Sequence, residues 1–436
     1  MIQPRLSVFD LIMIVVSLVI GVGIFRTPAI VAQSAGSPEI FFAAWLAGGL
    51  VSLCGALTFA EIGARYHFPG GFYKLISTAF HPVFAFMLNW VIVLTYGAGN
   101  MGVALIGAEY INPLLPEALQ GRAGVNGTAI GTVLFFYVVN LLGIRSGART
   151  QNLLSSLKIG LMLLLCLGIF LTPNPDRVSA AAVQPAMSSG MAAFFTSLIA
   201  VFYTYGGYQQ VLNFGADIKN PVRNTPRGII GGMLLVMTLY FGLNYAYYHQ
   251  LGFAQLSGSK LVAADVAEAM FGDWGRKLAS LAIFVSVLGY LNASLLSLPR
   301  VYYAMADDGI LPPIFKKVND RTQTQEFALT FLVGIMLLSL LALGAFEQIV
   351  SYVMSVDSIA LASAAATLFI FRHRVRGSDT HTGYRVWPYP LIPILFVSFL
   401  VVVSINVVLT DTVPALIGWG LFLSGWPLYY LLRRLF

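Results

Sequence analysis

Gly21-Val22-Gly23-Ile24-Phe25 interrupts an apolar run that extends from about Val8 to Ala32. The run is long enough to cross a bilayer as a helix. A glycine costs a helix interior about 1 kcal/mol relative to alanine, and Pro28 follows soon after. The stretch reads as a helix that stops near Ile20, runs open for a few residues and restarts near Ile24. Open backbone at membrane depth is tolerated only where protein buries it or where it lines a watery cavity. The amides of Val22 and Gly23 would then face such a cavity, and a helix N-terminus there attracts an anion such as a carboxylate. The same glycines would also serve plain close packing of two helices, and this stretch alone does not decide between the two.

A second interruption weighs the balance. Phe202-Tyr203-Thr204-Tyr205-Gly206-Gly207-Tyr208-Gln209-Gln210 lies in another apolar run. It places two glycines among three tyrosines, joining backbone freedom to bulky rings. Carbonyls freed there would accept from an ammonium, and a ring would close over a bound solute. Two interrupted spans in corresponding halves of a chain point to a solute site near the membrane midplane. Opposed amides and carbonyls suit a zwitterion.

The rest of the composition agrees with a multi-pass membrane protein. Of 436 residues, 58% are hydrophobic and 10% charged, against about 25% charged in a soluble domain. The apolar runs give about twelve spans, at 8–33, 39–64, 83–111, 126–144, 152–172, 191–214, 227–250, 276–303, 326–345, 348–371, 388–409 and 413–432. Of 25 Lys and Arg residues, only Arg122, Arg177, Lys260, Arg276 and Lys277 fall in one set of loops, and only Arg26 and Lys158 within spans. The remainder fall in the other set, which predicts that both termini are cytoplasmic. The net charge of +7 therefore suits anionic lipid and does not call for nucleic acid. Asp176 and several other acidic residues are expected outside. No cleavable signal pattern is expected at the N-terminus, and no loop is long enough for a regulatory domain. Cys54 and Cys166 fall in spans, so no disulfide is expected. The segment Leu75 to Phe80 reads as an interfacial stretch, and Phe253 to Trp274 as a short amphipathic cap.

Single polar residues within spans are candidates for function. Lys158 lies about 10 Å into the fifth span at 1.5 Å per residue. A charge at that depth marks a functional site unless the side chain snorkels to the surface. Asp357, deep in the tenth span, has three readings: a proton carrier, a contact for a substrate side chain, or an acceptor tied to a serine. Glu61 and Arg65, four apart near a helix end, read as a helix-surface pair. His67, His81, His249, His373 and His381 sit at or near loops and do not converge, so no metal, cofactor or enzymatic centre is expected. Polar stripes of the kind that line a channel are missing from the spans.

These motifs resemble the amino acid–polyamine–organocation superfamily. The resemblance rests on the Gly-x-Gly-Ile-Phe break, on Tyr203-Thr204-Tyr205-Gly206-Gly207-Tyr208 and on Asp217-Ile218-Lys219-Asn220-Pro221. Pro69-Gly70-Gly71-Phe72-Tyr73 and the stretch from Arg300 to Pro312 add to it. The likeness runs from the first span to about Pro393 and is strongest to the L-type amino acid transporters and their bacterial relatives. It implies an all-α, LeuT-like fold within a single domain, 1–436. Residues 1–172 and 191–371 would form two inverted repeats with broken helices 1 and 6, and 388–432 two extra spans. It implies secondary transport of amino acids by alternating access in the cell membrane, with a polyamine or other cationic amine as the alternative cargo. Neither a partner subunit nor the choice between exchange and proton coupling is implied.

The resemblance also assigns roles. The substrate carboxylate meets the amides at Val22 and Gly23, and the ammonium meets carbonyls of Val19, Tyr203 and Gly206. Tyr203 is the aromatic gate. Lys158 reaches the first break in place of a sodium ion, which implies sodium-independent transport. The expected substrate-binding set is Val19, Gly21, Val22, Gly23, Ile24, Tyr203, Tyr205, Gly206, Gly207 and Asp357. Val22 departs from the family, in which a small hydroxyl residue is frequent there; the backbone contact survives the change and a side-chain hydrogen bond does not.

Overall fold

The structure is a computed structural model that describes residues 3–171, 190–340, 346–375 and 381–435, with backbone alone from 346 to 353. Arg177, Asp176 and Arg376 lie outside the described residues. Sixteen α-helices occupy the described chain: α1 Val8–Val19, α2 Gly23–Ala35, α3 Pro38–Arg65, α4 Gly71–Ala79, α5 Pro82–Ile111, α6 Gly121–Leu141, α7 Ile144–Cys166 and α8 Gly190–Thr204. They continue with α9 Pro221–Gly258, α10 Val262–Phe271, α11 Asp273–Ser297, α12 Pro299–Asp307, α13 Glu326–Ser339, α14 Phe346–Arg374, α15 Leu391–Thr410 and α16 Thr412–Leu435. No β-strand occurs among the described residues beyond two isolated bridges, Leu6 with Ile218 and Pro69 with Phe214.

Ten helical segments are long and apolar enough to span a membrane, and α1 with α2, bent by 47°, make an eleventh. The expected span at 326–345 is represented by α13, a shorter apolar helix whose continuation at 341–345 lies outside the described residues. The protein is an all-α, multi-pass membrane protein.

Local chemistry sets the helix ends. Ser7 caps α1, its hydroxyl accepting from the Asp10 amide at 3.3 Å while the Asp10 carboxylate accepts from the Ser7 amide at 2.8 Å. That reciprocal arrangement satisfies two of the free donors at a helix start. Gly36, at φ 67°, ends α2, and Ser37 with Pro38 opens α3 at once. The turn between them is as short as the sequence predicts.

Packing then arranges the layers. In an 18-residue apolar stretch of Asp273–Asp307, 78% is buried, against 22% in the matching stretch of α6, so α11 is interior and α6 lies on the rim. Gly228 and Gly232, one turn apart on α9, lie against Leu11 and Val15 of α1; a Cβ on either would come within 2.5 Å and 2.6 Å of those side chains. Small residues at this spacing let two helices touch backbone to backbone. A buried polar thread crosses four helices. Asn140 of α6 donates to Asn292 of α11 at 2.9 Å, Asn292 to Gln151 of α7 at 2.8 Å, and Gln151 to Ser155 at 3.3 Å. Ser155 in turn donates to the Met13 carbonyl of α1 at 2.9 Å.

Two expectations are corrected. Glu61 is fully buried, not on a helix surface. Its carboxylate accepts from Arg65 Nε at 2.7 Å, from Arg372 Nε and Nη2 at 2.8 and 2.6 Å, and from the Val386 amide at 2.8 Å. All four lone-pair positions are thus filled, and α3, α14 and the segment before α15 are tied together. Sequence spacing showed only the local arginine because Arg372 is 311 residues away. The stretch Leu75 to Phe80 lies largely within α4, and Leu75 and Ile76 are buried in the core, not spread on a membrane surface. Between Phe253 and Trp274, α10 buries Val262, Ala263 and Val266 and docks by them.

Candidate functional site

The first helix stops where predicted. After Val19 the chain leaves helical geometry at Ile20 and resumes it at Gly23. The Gly21 amide turns back to the Val19 carbonyl at 3.0 Å. No acceptor meets the amides of Val22, Gly23 and Ile24 among the described residues, as befits the first turn of α2. The second break follows α8. Tyr205, Gly206 and Gly207 form a turn, and the chain continues as a 3₁₀ turn over Tyr208–Asn213.

The two breaks touch. Gly207 has φ 117°, a conformation L side chains avoid, and a Cβ there would strike the Leu18 carbonyl. Its amide donates to the Gln209 side chain at 3.0 Å. Tyr240 of α9 bonds both breaks, donating to the Val19 carbonyl at 3.1 Å with the Thr204 carbonyl at 3.3 Å.

A cavity of about 310 Å³ opens between the breaks. Val19, Gly21, Val22, Gly23, Tyr203, Gly206, Gly207 and Asp357 line it. Two expected residues do not. Ile24 is fully buried in the core. Tyr205 is 2% exposed and packs on Trp45 and Tyr240, with centroids 6.0 and 4.9 Å away. Two positions along a helix turn a side chain by about 200°, so Tyr205 points away from the face that Tyr203 presents.

Acceptors and donors in the cavity are unevenly spent. The Val19 carbonyl already accepts twice, from Gly21 and Tyr240. No donor reaches the Gly206 carbonyl among the described residues. The Tyr203 hydroxyl lies 3.0 Å from Ser358 Oγ, and Ser358 donates to the Met354 carbonyl at 2.9 Å. The Tyr203 hydroxyl also donates to the Met354 carbonyl at 3.4 Å, and these contacts join the second break to α14. The Asp357 carboxylate makes no hydrogen bond or ion pair with any described residue. The serine-tied reading thus loses its partner, since Ser358 is committed elsewhere.

Lys158 is buried and does not line the cavity. Its ammonium donates to the Ile20 carbonyl at the end of α1, where a cation stabilises the negative end of a helix. It makes no ion pair with Asp357. Gly289 of α11 seats against it; a Cβ there would lie 3.3 Å from the ammonium and 2.9 Å from Ser17 Oγ.

Sequence reading missed part of the lining: Tyr96 of α5, Tyr290 of α11, Gln210 and Ser358. The Gln210 side chain donates to the Tyr96 hydroxyl at 3.1 Å, while its Oε1 is buried without a partner among the described residues. The available signal was a tyrosine beside glycine within an apolar span, at Tyr96-Gly97 and Gly289-Tyr290.

The end of the molecule that carries the N-terminus is firmly bonded. Arg300 of α12 grips Asp217 through Nε at 2.6 Å and Nη2 at 3.1 Å, both side chains buried, and stacks on Phe214 at 4.6 Å. The amides of Arg5 and Leu6 donate to the Asp217 carbonyl at 2.7 and 2.9 Å.

Two helices broken at one depth around a cavity, in an all-α membrane protein, define a membrane transporter. The chain belongs to the amino acid permease family, whose model matches residues 6–426. It is 29% identical to the serine/threonine exchanger SteT of Bacillus subtilis, over 97% of this chain and 95% of that one. It is 26% identical to the human large neutral amino acids transporter small subunit 2, covering 96% of this chain and 78% of the relative. To the human cystine/glutamate transporter it is 28% identical, covering 96% and 83%. The protein is an amino acid transporter.

Proposed function

We propose that the protein exchanges neutral amino acids across the cell membrane without sodium, by alternating access around the cavity between its two breaks. The observation that carries this reading is the pairing of unspent amides at Val22 and Gly23 with the unspent carbonyl of Gly206 across that cavity. The amides suit a carboxylate and the carbonyl an ammonium. Tyr203 acts as the gate, held by Ser358. Lys158 supplies the cation at the first break, which makes a bound sodium unnecessary. The exchange mode is supported by SteT, named a serine/threonine exchanger. The neutral class is supported by SteT and by the large neutral amino acids relative.

In the same reading the end that carries the N-terminus is cytoplasmic, as the basic loops favour, and the Arg300–Asp217 grip keeps that side shut in this conformation. Residues 1–172 and 191–371 act as inverted repeats, with 388–432 added. A cationic amine is the second reading, favoured by the unpartnered Asp357 carboxylate in the cavity. Radiolabelled uptake into proteoliposomes tests both, across a panel of amino acids and polyamines, with and without sodium and internal substrate. Neutral amino acids should enter only against internal substrate, with sodium irrelevant. Uptake confined to polyamines, or none without sodium, overturns the proposal.

A further inference from the structure

A second cavity, of about 580 Å³, shares no residue with the first. It lies at the start of α9, on the end of the molecule that carries the N-terminus, since Asp217 just before α9 is bonded to Arg5 and Leu6. One wall is α9 itself, with Arg223, Arg227, Ile230 and Leu234; Thr382 and Tyr384 form the other. The two walls are pressed together at Gly383, where a Cβ would come within 2.7 Å of the Val222 side chain.

The chemistry of these walls is graded. Arg223 and Arg227 are exposed and four residues apart, so they share a helix face. Neither has a carboxylate within ion-pair distance among the described residues, and none of the described residues that line the cavity is acidic. Seven residues beyond Arg227, about 10 Å further along the helix, Leu234 is 47% exposed. Such a side chain on a membrane-spanning helix meets acyl chains. The cavity is thus cationic at the level of headgroups and apolar toward the hydrocarbon.

We propose that this cavity binds an anionic membrane phospholipid. Arg223 and Arg227 hold the phosphate, to which the guanidinium fork is matched, and one acyl chain runs along Ile230 and Leu234. The hydroxyl of Thr382, which has no partner among the described residues, faces the same headgroup. A soluble phosphate would use the arginines but not the apolar wall, so the graded lining favours the lipid.

Native mass spectrometry of the purified full chain tests this, with phosphatidylglycerol and phosphatidylcholine of identical acyl chains. Two arginines near the surface give about a thirtyfold preference for the anionic lipid. Arg223→Gln with Arg227→Gln should bring phosphatidylglycerol down to the level of phosphatidylcholine. Arg145→Gln with Arg149→Gln, a second exposed pair on α7, should leave it in place. Equal retention by the first pair, equal loss in the second, or no preference in the wild type overturns the proposal. Displacement by millimolar inorganic phosphate also overturns it, in favour of a soluble anion. Should the first pair fail to fold, Leu234→Gln keeps both arginines and must still lower phosphatidylglycerol retention; unchanged retention counts against the site.

Discussion

Replacing Lys158 with alanine removes the ammonium that donates to the Ile20 carbonyl at the first break. A hydrogen bond from a charged group contributes about 1.5–3 kcal/mol. Against this, burying an ammonium without a carboxylate partner costs several kcal/mol after relaxation, and no carboxylate meets Lys158 among the described residues. The two terms oppose each other in global stability, so the melting temperature should move by no more than about 3 °C. They do not oppose each other in function. In the proposed mechanism the lost bond holds the open backbone in the shape that presents the Val22 and Gly23 amides. About 2 kcal/mol withdrawn from that shape lowers its population about thirtyfold. Uptake in proteoliposomes should therefore fall by that factor in Lys158→Ala, and equally in Lys158→Met, which keeps the volume. Wild-type uptake should be unchanged when choline replaces sodium. A variant within about twofold of wild type, or a wild type that needs sodium, would refute the reasoning.

Tyr203→Phe keeps the ring and loses the bond to Ser358, about 1 kcal/mol, so turnover should drop no more than about fivefold, and Tyr203→Ala should cost far more; equal losses would assign the role to the hydroxyl. Gly207→Ala forces a side chain into positive φ and onto the Leu18 carbonyl, so transport should vanish and thermal stability fall; a fully active variant would show that the breaks do not need this contact. Asp357→Asn should abolish any stimulation of uptake by external acid while exchange persists, as read from uptake at a series of external pH values; a wild-type profile together with wild-type competition would leave the carboxylate no part in transport. Glu61→Ala removes the carboxylate on which Arg65, Arg372 and the Val386 amide converge, a change of about 3–5 kcal/mol for a broken buried pair, and should show as a lower melting temperature and poor recovery of monodisperse protein; an unshifted melting curve would count against the hub.

Local chemistry made much of this protein legible from its residues. Helix breaks at Gly21–Gly23 and Gly206–Gly207 follow from the conformational cost of glycine. Spans follow from apolar length, and helix starts follow from caps such as Ser7 and Ser37. These are one-dimensional signals, and the chain carries them wherever it is read. Which face of a span turns inward is another matter. In a membrane a helix can be apolar all round, so its sequence carries little record of its rotation. Packing alone brought Tyr96, Tyr290 and Gln210 to the cavity, and it turned Tyr205 away into the core while leaving Tyr203 on the cavity wall. Distance along the chain hid the rest: Glu61 meets Arg372 across 311 residues and Asp217 meets Arg300 across 83. Charges such as these need partners of opposite sign in the interior, and only the tertiary structure decides which distant side chains supply them.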